Sequence, residues 1–155
     1  MFDNVTKSIR VLSAGSVEKA NSGHPGMPLG MADVGTVLYK NFLKVTNNCP
    51  DWINRDRFVL SAGHGSALLY SLLHFNGFDI SINDMKNFRQ LKSKTPGHPE
   101  LDTKLGIDIT TGPLGQGFAT GVGLALAESY LSKTFGDKII NCLLYTSDAA
   151  DESVS

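Results

Sequence analysis

Glycine and proline break this chain at a few sharply defined places, and most of the breaks hold a histidine. The stretches are NSGHPGMP at 21–28, SAGHGS at 61–66, TPGHPE at 95–100 and TTGPLGQG at 110–117. Glycine tolerates positive φ and close backbone approach, and proline removes a helical donor, so a helix rarely runs through such a stretch. The chain is therefore divided into separate elements joined by conformationally special turns. His24, His64 and His98 each follow a glycine directly, whereas His74 lies inside LLYSLLHFNG. A core histidine has no need of glycine neighbours. A ring that must meet a ligand beside the main chain does.

Between the breaks the pattern is α/β. Residues 3–20 read as a helix, capped by Asp3 or Asn4, with Val5, Ile9, Leu12 and Val17 at a rough helical period. Pro28 suits a first helical turn, and LGMADVGTVLYKNFL continues as a second helix, apolar enough to be largely buried. RFVLS reads as a short buried strand, and AGHGSALLYSLLHFNG as a turn feeding a third helix that Gly77 stops. Ser81 and Asp84 hold capping-box positions for a fourth, short helix. Residues 92–117 form a long loop of the kind usually kept for function, and GFATGVGLALAESYLSKTFG is a fifth helix. DKIINCLL reads as the start of another strand. Strand, glycine turn, helix is the α/β signature, here in a helix-rich chain.

The 155 residues suffice for one domain with a real core. Fourteen basic against 15 acidic side chains leave a net charge of −1, which excludes a strong field for nucleic acid or a membrane surface. Any anion must then be held by local geometry. No apolar run approaches the ~20 residues of a membrane span. Cys49 and Cys142 lie far apart, and the start of the chain is charged and amphipathic, so the expected setting is a reducing cytoplasm.

Gly112, Gly115 and Gly117 stand just before a helix start, where unpaired N–H groups and the helix dipole favour a negative guest. Their order, G-x-x-G-x-G, is not the dinucleotide fingerprint, and no Lys-Ser/Thr pair follows as in a P-loop. Close packing is the competing reading, with Gly117, Gly121 and Ala125 letting another helix in. A three-histidine zinc site lacks any short H-x-x-x-H spacer, and a serine hydrolase lacks its G-x-S-x-G elbow. The favoured reading is one site shared by His24, His64 and His98. His74 is assigned to packing near a helix C-terminus. The RDR run at 55–57 and Lys92 and Lys94 are read as solvated charges.

KANSGHPGMPLGMAD, DRFVLSAGHGSALLYSLLHFNG, NFRQLKSKTPGHPELD and TTGPLGQGFATGVGLALAE together resemble the N-terminal part of the transketolase family, continuously over residues 3–141. The resemblance implies a thiamine-diphosphate-binding fold, a Rossmann-like parallel sheet with helices, incomplete here. Residues 1–141 would be the N-terminal part of the diphosphate-binding domain. The implied activity is transfer of a two-carbon ketol unit from a ketose phosphate to an aldose phosphate in the pentose phosphate pathway. The implied cofactors are thiamine diphosphate and Mg2+. The implied assembly is a cytoplasmic homodimer whose site lies between subunits, with no nucleic-acid or membrane partner.

By the same resemblance His24 would contact substrate hydroxyls and help move protons. His64 would sit near the cofactor's diphosphate. His98 would bond the donor's terminal hydroxyl and the reaction intermediate. Gly112, Pro113 and Leu114 would pack on the cofactor and exchange main-chain bonds with it. The family continues into Gly-Asp-Gly, whose Asp binds the metal. This chain reads CLLYTSDAADESVS instead, so no metal ligand is assigned, neither to Asp148 nor to Asp151. Residues 142–155 are read as an unrelated or misread tail, and the 155-residue chain alone is expected to be inactive and marginally stable. A formaldehyde-using ketolase, a non-catalytic anion-binding module and a non-functional fragment are the alternatives. The histidine trio favours an enzyme, because anion binding alone does not require all three rings.

Overall fold

A computed structural model describes residues 2–147. The elements run α1 (Phe2–Ala20), α2 (Gly26–Asn41), β1 (Arg57–Leu60), α3 (Ser66–Phe75), α4 (Ile82–Lys86), α5 (Gln116–Phe135) and β2 (Leu144–Ser147). Short 3-10 turns occupy Gly63–Gly65 and Thr103–Leu105. The tail positions Asp148 and Asp151, with the rest of 148–155, lie outside the described residues.

β1 and β2 pair in parallel, Arg57 opposite Leu144 and Leu60 opposite Ser147. A parallel pair needs a long crossover, and the chain from Ser61 to Leu143, α3, α4 and α5 included, supplies it. α5 covers this sheet. A Cβ on Gly121 would stand 2.6 Å from Thr146 Cγ2, and one on Gly117 would stand 2.5 Å from Ser61 Cα. Gly117 and Gly121 of α5 therefore admit the ends of strands, not the helix of the competing reading, and Ala125 lies exposed.

The second strand starts later than DKIINCLL predicts. Gly136 ends α5 at φ 92, and the N–H groups of Ile139 and Ile140 turn back to its carbonyl at 3.0 and 3.1 Å. Those donors are spent on a turn, so sheet pairing waits until Leu144. Leu143 N–H donates to Asp56 Oδ1 at 2.6 Å and sets the register. The strand thus uses part of the segment read as tail.

α3 is buried from Ser66 to Leu73 and forms the centre of the core, with α1 and α2 against it. The fully buried positions of α1 are Thr6, Ile9, Ser13 and Ser16; Val5, Leu12 and Val17 flank them, partly buried. Each buried hydroxyl is satisfied. Thr6 Oγ1 donates to Thr36 Oγ1 at 3.2 Å, Ser13 Oγ to the Ala67 carbonyl at 3.1 Å, and Ser16 Oγ to the Leu12 carbonyl at 2.8 Å. Small hydroxyl side chains let the helix backbones approach at little polar cost.

α2 buries only one face, through Pro28, Ala32, Gly35, Thr36 and Tyr39. Leu29, Val34 and Val37 stay exposed, against the expectation of a largely buried helix. An apolar composition does not bury a helix unless neighbours cover every face, and here α1 and α3 cover one.

The RDR run is also different from the solvated charges expected. Arg55 forms a buried ion pair with Asp108, whose other oxygen accepts the Phe58 N–H at 3.2 Å. Asp56, fully buried, accepts the N–H of Lys44 at 2.8 Å as well as that of Leu143. These carboxylates tie loops to β1, a role that needs low exposure.

Candidate active site

The site begins where β1 ends. In open α/β sheets ligands gather outside the carboxyl ends of parallel strands. Here the Leu60 carbonyl accepts a bond from Thr111 Oγ1 at 2.8 Å, and Ser61 Oγ accepts the Phe118 N–H at 3.0 Å. One strand end thus meets both the Gly112 loop and the start of α5. Gly63 carries the chain past them, because a Cβ there would stand 2.7 Å from Thr111 Oγ1. His64 follows at once, at the mouth of α3.

His24 enters from the α1–α2 connection. Asn21 at φ 47 and Gly23 at φ 135 reverse the chain, and Gly23 sits against Val17 and Phe88, each 3.1 Å from a would-be Cβ. Met27 then packs on Gly65, so the start of α2 lies on the turn that holds His64. The rings of His24 and His64 meet edge to face, with 5.0 Å between centroids and 69° between planes.

His98 is held by its neighbours' carbonyls. Tyr70 Oη donates to the Pro96 carbonyl at 2.9 Å, Ser66 Oγ to the Gly97 carbonyl at 2.8 Å, and Thr111 N–H to the Pro99 carbonyl at 3.1 Å. Burial pushes the Tyr70 phenol well above its ordinary range, with Glu100 adding to it, so Tyr70 stays a donor throughout physiological pH. The imidazole of His98 lies over Gly112, where a Cβ would stand 3.6 Å from its Cγ. Partial desolvation, then the charge of Arg89, then His24 and His64 hold His98 below the usual histidine pKa. At neutral pH it is an uncharged ring with one donor and one acceptor. His24 and His64 lie near enough to add to that effect, so three rings far apart in sequence are brought near one another.

Gly112 lies under that site, and Pro113 and Leu114 follow it exposed to solvent. Gly115, at φ 83, caps α5 without a side-chain bond, and nothing stands within 4 Å of a Cβ placed on it. An open cleft of about 360 Å³ beside His98 is lined by Ala20, Ser22, Arg89, Gln90, Gly97 and His98. His74 stays out of the site, its Nδ1 at 2.6 Å from the Ile80 carbonyl, as its place in an apolar helix predicts. Among the described residues no three His, Cys, Asp or Glu side chains gather as a metal-ligand group.

Residues 2–149 match the family described as transketolase, thiamine diphosphate binding domain. The chain belongs to the transketolase family. It is 59% identical over 134 residues to the transketolase of Bacillus subtilis (strain 168), a match covering 86% of this chain and 20% of the relative. Its structure superposes on a transketolase from Leishmania mexicana with a TM-score of 0.90 at 48% identity, covering 94% of this chain and 22% of that one. A transketolase from Pichia stipitis in complex with sedoheptulose-7-phosphate gives a TM-score of 0.85 at 46% identity, covering 94% of this chain and 21% of that one. The chain therefore spans about a fifth of the length of the transketolases it matches. The matched fold is the α/β diphosphate-binding architecture, of which two strands are present among the described residues. No helix among those residues is long and apolar enough to cross a membrane.

Sequence reasoning missed the residues that hold the histidines. Ser66 and Tyr70 sit in a run read only as core helix, and Thr111 in a loop read for its glycines. Arg89, in NFRQLKSKTPGHPELD, carries no reading of its own. A signal existed in part: Ser61, Ser66 and Thr111 each adjoin a glycine break, where side-chain hydroxyls commonly serve orphaned backbone groups.

Proposed function

We propose that this chain supplies the diphosphate-binding part of a transketolase, which transfers a two-carbon ketol unit from a ketose phosphate to an aldose phosphate. The pairing of the His24 and His64 rings, with His98 over Gly112 and Gly63 against Gly112, carries this reading. The residues present fit thiamine diphosphate. Gly115 leaves open space at an uncapped helix start, Leu114 offers an exposed apolar surface, and imidazoles border the cradle. When bound, the cofactor supplies a nucleophilic carbon and an electron sink for the donor.

The side chains then have separate tasks. His64 would hold the diphosphate end, and Gly112, Pro113 and Leu114 would pack on the cofactor. His24 binds substrate hydroxyls and takes or returns their protons. His98, kept neutral, donates to the donor's terminal hydroxyl and offers no positive charge that would have to be desolvated there. The Mg2+ of the family binds through residues not assigned among those described. The wider reading is a cytoplasmic homodimer acting on sugar phosphates in the pentose phosphate pathway.

The test is ketol transfer from xylulose 5-phosphate by full-length enzyme carrying these residues. Replacing His24, the proton carrier in this reading, with Ala should lower kcat/KM by roughly 10²–10⁴, the usual worth of a positioned acid–base group. Calorimetry should show weaker thiamine diphosphate binding in His64→Ala. Unchanged turnover in His98→Ala and His24→Ala would refute the assignment.

A further inference from the structure

Phe88 and Arg89 follow α4 and lie between the loops that carry His24 and His98. The glycine before each of these histidines rests on one of the two residues. Gly23 rests on the Phe88 ring, 3.1 Å from a would-be Cβ to Cε1. Gly97 rests on the Arg89 guanidinium, where a Cβ would stand 3.0 Å from Nε and 3.1 Å from Cζ. Arg89 also reaches the other loop, Nη1 donating to Ser22 Oγ at 2.7 Å. Any side chain larger than hydrogen at position 97 would press on that guanidinium.

The backbone of Arg89 shows the same demand. It adopts φ 62, the left-handed region that side-chained residues avoid, and its N–H donates to the Thr95 carbonyl at 2.9 Å. Thr95 Oγ1 donates in turn to the Asp84 carbonyl of α4 at 2.7 Å. The guanidinium stands 5.7 Å from the centroid of the Phe88 ring, which Tyr70 meets edge to face at 6.3 Å. An unfavourable backbone conformation is kept only where surrounding bonds impose it, and strain of this kind clusters at functional sites.

We propose that Arg89 is a positioning residue for the histidine site, its guanidinium clipping the Ser22–His24 segment to the Gly97–His98 segment so that the two imidazoles keep their spacing. This rests on the reading given under Proposed function. A planar fork suits the task, since one edge can bond a hydroxyl while the flat face lies on a glycine. The charge adds a second effect. The groups facing His98 are Arg89 from the segment after α4, His24 from the loop before α2 and His64 from the turn before α3. Arg89 is the permanent cation among them, and it disfavours a second positive charge on His98.

The experiment compares wild type, Arg89→Gln, Arg89→Lys and Ser22→Ala in full-length enzyme carrying these residues. It reads kcat and KM against pH, and the His98 Cε1–Hε1 resonance in the same proteins. Arg89→Gln should lower kcat by about tenfold to a hundredfold, the scale on which misplaced groups act, with a smaller change in KM. Its acid limb and the His98 titration should both move to higher pH. Arg89→Lys should keep the His98 titration near wild type without recovering full kcat. Ser22→Ala should lower kcat in the same direction by less, and it serves as the test if the arginine variants fail to fold. An Arg89→Gln enzyme with kcat within about twofold of wild type overturns the proposal. So does an unmoved His98 titration, or a loss confined to KM that Lys restores. Absence of ketol transfer in wild type would instead refute the functional reading, and the resonance titration would still decide the role of Arg89.

Discussion

Gly63 lies so close to Gly112 that a Cβ on it would stand 2.8 Å from the Gly112 amide nitrogen. The turn that presents His64 and the loop beneath His98 are therefore in backbone contact. Neither partner can swing aside as a flexible side chain would. Gly63→Ala should destabilise the fold by about 1–3 kcal/mol, as overpacking does. Gly15, in α1, has nothing within 4 Å of a Cβ, and Gly15→Ala should be neutral or stabilise by about 0.5–1 kcal/mol. Urea midpoints of the two variants check the contrast, and equal midpoints would show that the contact carries no weight.

His98 makes a pH prediction with a definite sign. Its folded pKa lies below the ordinary 6.5, so the folded chain binds fewer protons than the unfolded chain between those two values. Unfolding free energy then rises with pH across that window; the contribution is complete above 6.5 and is lost as pH falls toward the folded pKa. The ring is largely exposed, so the stability effect is small and the resonance titration is the sensitive probe. A His98 midpoint at or above 6.5 contradicts the arrangement of charges described.

The capping box of α4 supports the segment that leads to Arg89. Ser81 Oγ accepts the Asp84 N–H at 3.1 Å, and Asp84 Oδ2 accepts the Ser81 N–H at 2.8 Å. Ser81→Ala should cost about 0.5–2 kcal/mol in chemical denaturation. Burial works to raise the Asp84 pKa, but the Ser81 hydroxyl and N–H and the Lys94 charge outweigh it and hold the carboxyl below 3.8. That stabilisation is present above 3.8 and fades as pH drops through the folded pKa. Acid titrations should therefore be shallower in Ser81→Ala than in wild type.

α5 turns an apolar stripe to solvent. Phe118, Val122, Leu126 and Tyr130 recur every fourth residue and are 49, 49, 68 and 70% exposed. Such spacing places them on one face, and a contiguous exposed patch favours association. The 155-residue chain by itself should bind an apolar dye and self-associate at micromolar concentration. Leu126→Lys with Val122→Glu should reduce both. A monodisperse monomer by light scattering would count against this surface being sticky.

Local chemistry was legible where one short stretch decides the outcome. The capping residues of α4, the glycine that stops α3 and the breaks around the histidines could all be placed from residue type alone. Side chains whose partners lie far along the chain could not. Thr6 and Ser13 gain their partners only when α2 and α3 pack against α1. Arg55 looks like a surface charge until Asp108 arrives beside it. The start of β2 depends on Asp56 and Asn54 receiving N–H groups near the strand, which no local propensity encodes.

The order of helices and turns and the identity of the glycine-flanked histidines were determined by sequence, because backbone sterics and capping act within a few residues. That His24 meets His64, that His98 lies on Gly112, and that Arg89 joins two of their loops were decided only by the tertiary structure. Those contacts come from packing between segments distant in the chain, which selects partners by shape and hydrogen bonding that no single stretch contains.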